Sequence, residues 1–166
     1  MGKSKASFIA KGGLLIALTL IILYLGNVIT FNTLFLLGVA SAIIPLGVII
    51  CDVKTALLVY VASAILSYFI LPDKTIILLY ILIFGPYGLV KLFIEKRENT
   101  AVEIILKLVY FNVITFIAFI IYKQFFMPTI ELQYPLIAIF LIGNIAFIVF
   151  DYVLTVFANF MSNHKF

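Results

Sequence analysis

Apolar residues run along this chain in long blocks, and charged residues gather in the short gaps between them. The blocks lack the apolar/polar alternation of a barrel strand. They predict six spanning helices at about 8–29, 34–51, 55–71, 75–94, 101–125 and 132–160, each of the length an α-helix needs to cross hydrocarbon. The gaps are Thr30-Phe31-Asn32-Thr33, Asp52-Val53-Lys54, Pro72-Asp73-Lys74, Glu95-Lys96-Arg97-Glu98-Asn99 and Met127-Pro128-Thr129. Helices suit a bilayer because each satisfies its own backbone hydrogen bonds.

Composition strengthens this reading. Of 166 residues, 66% are hydrophobic and 11% charged, against about 45–50% and about 25% in soluble domains. A soluble fold of this size could not hide so much apolar surface. The expectation is an all-α, polytopic bundle forming a single membrane domain over 1–166, with no folded part outside the bilayer.

The net charge of +4 sits mainly in the connections, so it reports orientation and not nucleic-acid binding. With the N-terminus in the cytoplasm, Lys3, Lys5, Lys11, Lys54, Lys91, Lys96, Arg97 and Lys165 fall at cytoplasmic ends, with Lys107 just inside. Lys74 and Lys123 fall outside. Both termini are then cytoplasmic, which needs an even number of crossings. Lys3, Lys5 and Lys11 before the first apolar block resemble a signal peptide, but no small-residue cleavage site follows, so a retained helix is expected. Cys51 is the only cysteine, so the chain forms no internal disulfide.

Several chemistries lack their residues. His164 is the only histidine and lies three residues from the end. There is no Gly-x-Ser-x-Gly elbow, no phosphate-binding Gly-x-x-x-x-Gly-Lys loop, and no carboxylate pair at i, i+3 or i+4 inside a span. No catalytic residue, metal site or cofactor is expected, and an enzyme acting on lipid would need a reactive group that is missing.

The polar exceptions inside the spans carry what information remains. Asp151 interrupts the last block and must find a partner. Lys107, Lys91 and Lys11 are the candidates, and Lys107–Asp151 is the expected intramembrane ion pair, either an interhelical clamp or a proton or ion coupling site. Glu103 precedes Lys107 at the favourable i, i+4 spacing. Lys91 and Glu95 share that spacing and read as a solvated helix end, which together with Lys96 and Arg97 could also contact anionic lipid. Pro45-Leu46-Gly47 and Gly85-Pro86-Tyr87-Gly88 should kink their helices, free carbonyls at mid-depth and open space between helices. Asn27, Asn112 and Asn144 must hydrogen-bond within the membrane, to another helix or to a ligand. Tyr24, Asn32, Thr33, Tyr68, Tyr80, Tyr122, Gln124, Glu131 and Tyr134 complete a polar and aromatic set toward the outer half. Gly13 and Ala17 form a small-x-x-x-small pair, extended by Gly12 and by Gly38, Ser41 and Ala42, where helices can approach closely.

The segments Lys11-Gly12-Gly13-Leu14-Leu15-Ile16-Ala17-Leu18, the Pro-broken second span and Gly85-Pro86-Tyr87-Gly88-Leu89-Val90-Lys91, in a six-span chain with no ATP site, resemble the substrate-binding S components of energy-coupling factor transporters. The resemblance implies a bacterial plasma-membrane subunit that takes up a small organic solute such as a vitamin. It implies a transmembrane coupling subunit and an ATPase pair as partners. Tyr24, Asn27, Asn32, Tyr80, Asn112, Tyr122, Gln124 and Asn144 would line an outward pocket, and Gly13 and Ala17, matching that family's Ala-x-x-x-Ala by size, would face the coupling subunit. The competing expectation is a scaffold or assembly protein that binds other transmembrane helices without transporting.

Overall fold

The computed structural model describes residues 5–96, 99–125 and 136–163. Among them every regular element is a helix, and six are long and apolar enough to cross a membrane. They are α1 (Lys5–Val28), α2 (Thr33–Ile50), α3 (Val53–Ile70), α4 (Lys74–Ile94), α5 (Thr100–Phe125) and α6 (Leu136–Asn163). A single 3-10 turn, Thr30–Asn32, joins the first two. The break expected at Met127-Pro128-Thr129, and with it Glu131 and Tyr134, lies outside the described residues, as do Arg97 and His164.

Short polar residues start the helices. The Asp52 carboxylate accepts from the Thr55 backbone N–H at 2.6 Å and caps α3. Hydrogen bonds from Thr55 hold that carboxyl below its ordinary pKa, so the cap persists above the ordinary value and is lost as pH falls through the lowered one. Asp73 does the same for α4 through Thr75 N at 2.8 Å, and Asn99 for α5 through Ala101 N at 3.0 Å. Each cap satisfies a donor that the first helical turn leaves open.

Helices α1, α2 and α3 pack on one another, and α4 lies along α2. One core joins Leu23, Leu37, Ala40, Ala64, Leu71, Ile77 and Tyr80; a second joins Leu15, Ile43, Ile44, Ala56, Val59 and Leu89. Helix α5 packs on α4 and α6, and α6 also packs on α2. The gap between α4 and α6 is filled by long side chains: Tyr87 and Phe147 meet edge to face at 5.0 Å between centroids, Phe84 and Phe150 at 5.5 Å. The outer surface is apolar. Phe69 is 79% exposed, Ile142 67% and Phe116 62%, which in water would be an untenable patch and in lipid is the matching solvent.

The two expected breaks meet each other. Pro86 has no N–H to give and its ring would crowd the preceding turn, and α4 absorbs this with a π-helical turn over Tyr80–Phe84, in which Gly85 N–H bonds back to Tyr80 O. The loosened carbonyls are taken by neighbours: Tyr60 Oη donates to Ile81 O at 2.8 Å, and Ser41 Oγ to Phe84 O at 2.5 Å. One turn on, Gly88 lies against Pro45 so closely that an added Cβ would sit 2.7 Å from its Cδ. The expectation that these breaks open space between helices is therefore corrected. At Gly88 and Pro45 they close it, because a glycine without a side chain receives the proline ring.

Candidate functional site

The most polar region inside the bundle is a charged layer where α4, α5 and α6 meet. Its parts come from i, i+4 pairs, one or more on each helix: Tyr87, Lys91 and Glu95 on α4 and at its end, Glu103 and Lys107 on α5, Asp151 and Thr155 on α6. Lys107 Nζ lies 2.9 Å from Asp151 Oδ2, 2.8 Å from Glu95 Oε1 and 2.6 Å from Glu103 Oε1. Lys91 Nζ contacts Asp151 Oδ1, sits 2.5 Å from Glu95 Oε1 and donates to Thr155 Oγ1 at 2.7 Å. Tyr87 Oη donates to Asp151 Oδ1 at 2.6 Å. Lys91 is 2% exposed and Lys107 4%. Two ammonium groups thus face three carboxylates, and Asp151 is the joint through which all three helices are tied.

The solvated helix end expected for Lys91 and Glu95 is overturned for Lys91. Its ammonium is buried within the bundle, against Asp151 and Thr155 of α6. Sequence spacing alone placed Lys91 near a helix end; the approach of α6 made it internal. Tyr87, which the sequence marks only as part of a helix break, and Thr155 join the layer; their i, i+4 offsets from Lys91 and Asp151 are the signal that places them on the same two helix faces.

Deeper in the bundle, between the same helices, lies an aromatic layer. Tyr87 stacks on Tyr110 at 5.8 Å and Phe111 on Phe147 at 4.3 Å. The amide pair bridges α5 and α6. Asn112 and Asn144 exchange two hydrogen bonds of 3.0 Å, and each also donates to the carbonyl four residues back, Leu108 O and Phe140 O, at 2.8 Å. Both hydrogens of both amides are therefore engaged within the protein. Replacing Asn112 by leucine should cost about 1 kcal/mol, the usual size of one interhelical polar contact. Adding Asn144→Leu should cost little more, because the broken pair is then gone from both sides. Unfolding titrations in mixed micelles check both, and additive losses would contradict a closed pair.

The remaining residues of the expected outward set are dispersed. Tyr80 is fully buried in the core of α1 to α4, its hydroxyl 2.8 Å from Ser63 Oγ. Tyr24, Asn32 and Gln124 are exposed, and Tyr122 is half-buried. Asn27 is half-buried with its Oδ1 shielded and without a hydrogen-bond partner among the described residues. Tyr24 and Asn27 belong to α1, which packs on α2, α3 and the start of α4, whereas Asn112 and Tyr122 belong to α5 on the other flank. The described structure brings Asn112 and Asn144 together and does not gather the other six around them.

The small residues of α1 divide sharply. Gly12 faces inward, where an added Cβ would lie 3.3 Å from Thr55 Cγ2, while Gly13 has nothing within 4 Å. Gly13 and Ala17 are both exposed, so this pair lies on the outer face of the bundle. No group of three or more His, Cys, Asp or Glu able to hold a metal occurs among the described residues.

Comparison with protein families, curated proteins and solved structures finds nothing that matches this chain. The architecture and these contacts define a multi-pass helical membrane protein.

Proposed function

We propose that this protein is the solute-binding membrane subunit of an energy-coupling factor type transporter, standing in a bacterial plasma membrane with its basic end in the cytoplasm. The observation that carries the reading is the outward presentation of Gly13 and Ala17 on α1, beside a Gly12 that is used inside. A small-residue pair turned to lipid gains nothing from lipid, but lets a second helix approach closely. In this reading that helix belongs to a transmembrane coupling subunit, which an ATPase pair drives. The lysines support the orientation: Lys11, Lys54, Lys91, Lys96 and Lys107 lie toward one end, and Lys74 and Lys123 toward the other.

A second reading, a scaffold that binds other helices without transporting, draws on the inward commitment of Asn112, Asn144 and Tyr80. Purification from native membranes in mild detergent, with mass spectrometry of proteins and small molecules, separates the two. Recovery of a coupling subunit, an ATPase and a bound solute supports transport. Recovery of membrane partners with neither ATPase nor solute supports the scaffold. Gly13→Leu with Ala17→Leu should lower co-purified partner about tenfold, a loss of about 1.4 kcal/mol, while leaving unfolding unchanged because the site is empty on the protein side. Unaltered partner recovery would sink the docking role of this face.

A further inference from the structure

The two larger cores take every residue from the chain before α5. Helices α5 and α6 bury much less. Among their described side chains only Lys107, Ala118, Phe147 and Leu154 are buried. Helix α6 meets the first four helices through residues 147–155. Phe147 packs on Tyr87 and Phe150 on Phe84, Asp151 takes Lys91 and Tyr87, and Thr155 accepts from Lys91. Over residues 140–146, farther from the basic end, no side chain of α6 is buried. A segment with so few buried contacts opens at small cost.

Helices α5 and α6 hold each other more firmly. Asn112 and Asn144 exchange two hydrogen bonds, Phe111 stacks on Phe147, and Lys107 pairs with Asp151. The pair is thus tied to itself at the amides and at the charged layer. Its polar ties to α4 lie in that layer: Lys91 to Asp151, Tyr87 to Asp151 and Lys107 to Glu95. The seam between α4 and α5 also carries a local cost. Tyr110 stacks on Tyr87 there, and its hydroxyl is shielded without a hydrogen-bond partner among the described residues. A buried hydroxyl left unpaired is unfavourable, so parting the seam relieves it. Lipid is as apolar as the contacts it would replace.

We propose that α5 and α6 move as one unit, pivoting about the charged layer so that their far ends part from α4. The device does not depend on whether the protein transports. The test places pairs of spin labels on the full chain in nanodiscs, after Cys51→Ala removes the native thiol, and reads distances by double electron–electron resonance. Phe69→Cys with Ile120→Cys spans α3 and α5. Ile21→Cys with Phe69→Cys stays within the first four helices, and Ile120→Cys with Leu141→Cys within the moving pair; all these positions are exposed. The spanning pair should give a short distance with a longer minority, and each internal pair one narrow distance. Asp151→Asn should raise the longer population about fivefold, the equivalent of one weakened hydrogen bond. Tyr110→Phe, which removes the shielded hydroxyl, should lower it by a similar factor. A single narrow distance for the spanning pair in wild type and Asp151→Asn alike would overturn the proposal. So would a broadened distance between the labels on α5 and α6, which would mean that the two helices move separately, or a longer population that Tyr110→Phe leaves unchanged.

Discussion

Lys107→Met lowers the unfolding free energy by about 3–5 kcal/mol, the usual result of removing one partner from a buried charge network. The count of charges decides the size. Lys91 and Lys107 face Glu95, Glu103 and Asp151, so the layer carries one negative charge in excess, and losing Lys107 raises the excess to two. Asp151→Asn acts in the opposite direction. It leaves two ammonium groups with two carboxylates, and the amide still accepts from Tyr87 or Lys91. Its cost is accordingly about 1–2 kcal/mol, that of weakened hydrogen bonds. The double variant restores the original excess and should be more stable than Lys107→Met alone. Reversible unfolding in mixed micelles of mild and denaturing detergent reads all three. A Lys107→Met protein as stable as Asp151→Asn would show that the layer is wet enough to screen its charges.

Gly85→Ala should be the most damaging of the small-residue changes, at about 2–4 kcal/mol, combining overpacking with one lost hydrogen bond. The new methyl would press into the Tyr60 ring and lie 2.9 Å from Tyr80 O, which is backbone. Tyr60 has little freedom to retreat, because its hydroxyl holds Ile81 O at 2.8 Å in the π-helical turn. Gly13→Ala is the matched comparison, since nothing lies within 4 Å of the added carbon. It should leave stability within about 0.5 kcal/mol of wild type, as surface changes do. Equal effects at the two glycines would mean that α4 can shed its π turn at no cost.

The facing of each helix was the least legible feature, and adjacent residues show why. Gly12 and Gly13 read alike as small residues of α1, yet one packs on Thr55 and the other meets no protein atom. Lys91 read as solvated and is buried, while Lys96, five residues on, is exposed. In water, a helix marks its inner face by contrast between apolar and polar sides. Here lipid is as apolar as the core, so Leu15 inside and Leu14 outside carry no distinguishing mark. Only costly exceptions such as Asp151 and the Asn112–Asn144 amides announce that they turn inward.

What the sequence determined by itself was the solvent and the repeat of crossings: hydrocarbon demands long apolar helices, and the gaps between blocks can be counted. Tertiary structure alone decided that Tyr87, Lys91, Glu95 and Thr155 join Glu103, Lys107 and Asp151 in one layer, and that Gly88 receives Pro45. These meetings depend on the rotation of each helix about its axis. In an apolar solvent that rotation is set by close packing and a few polar contacts between distant residues, and neither can be read from local pattern.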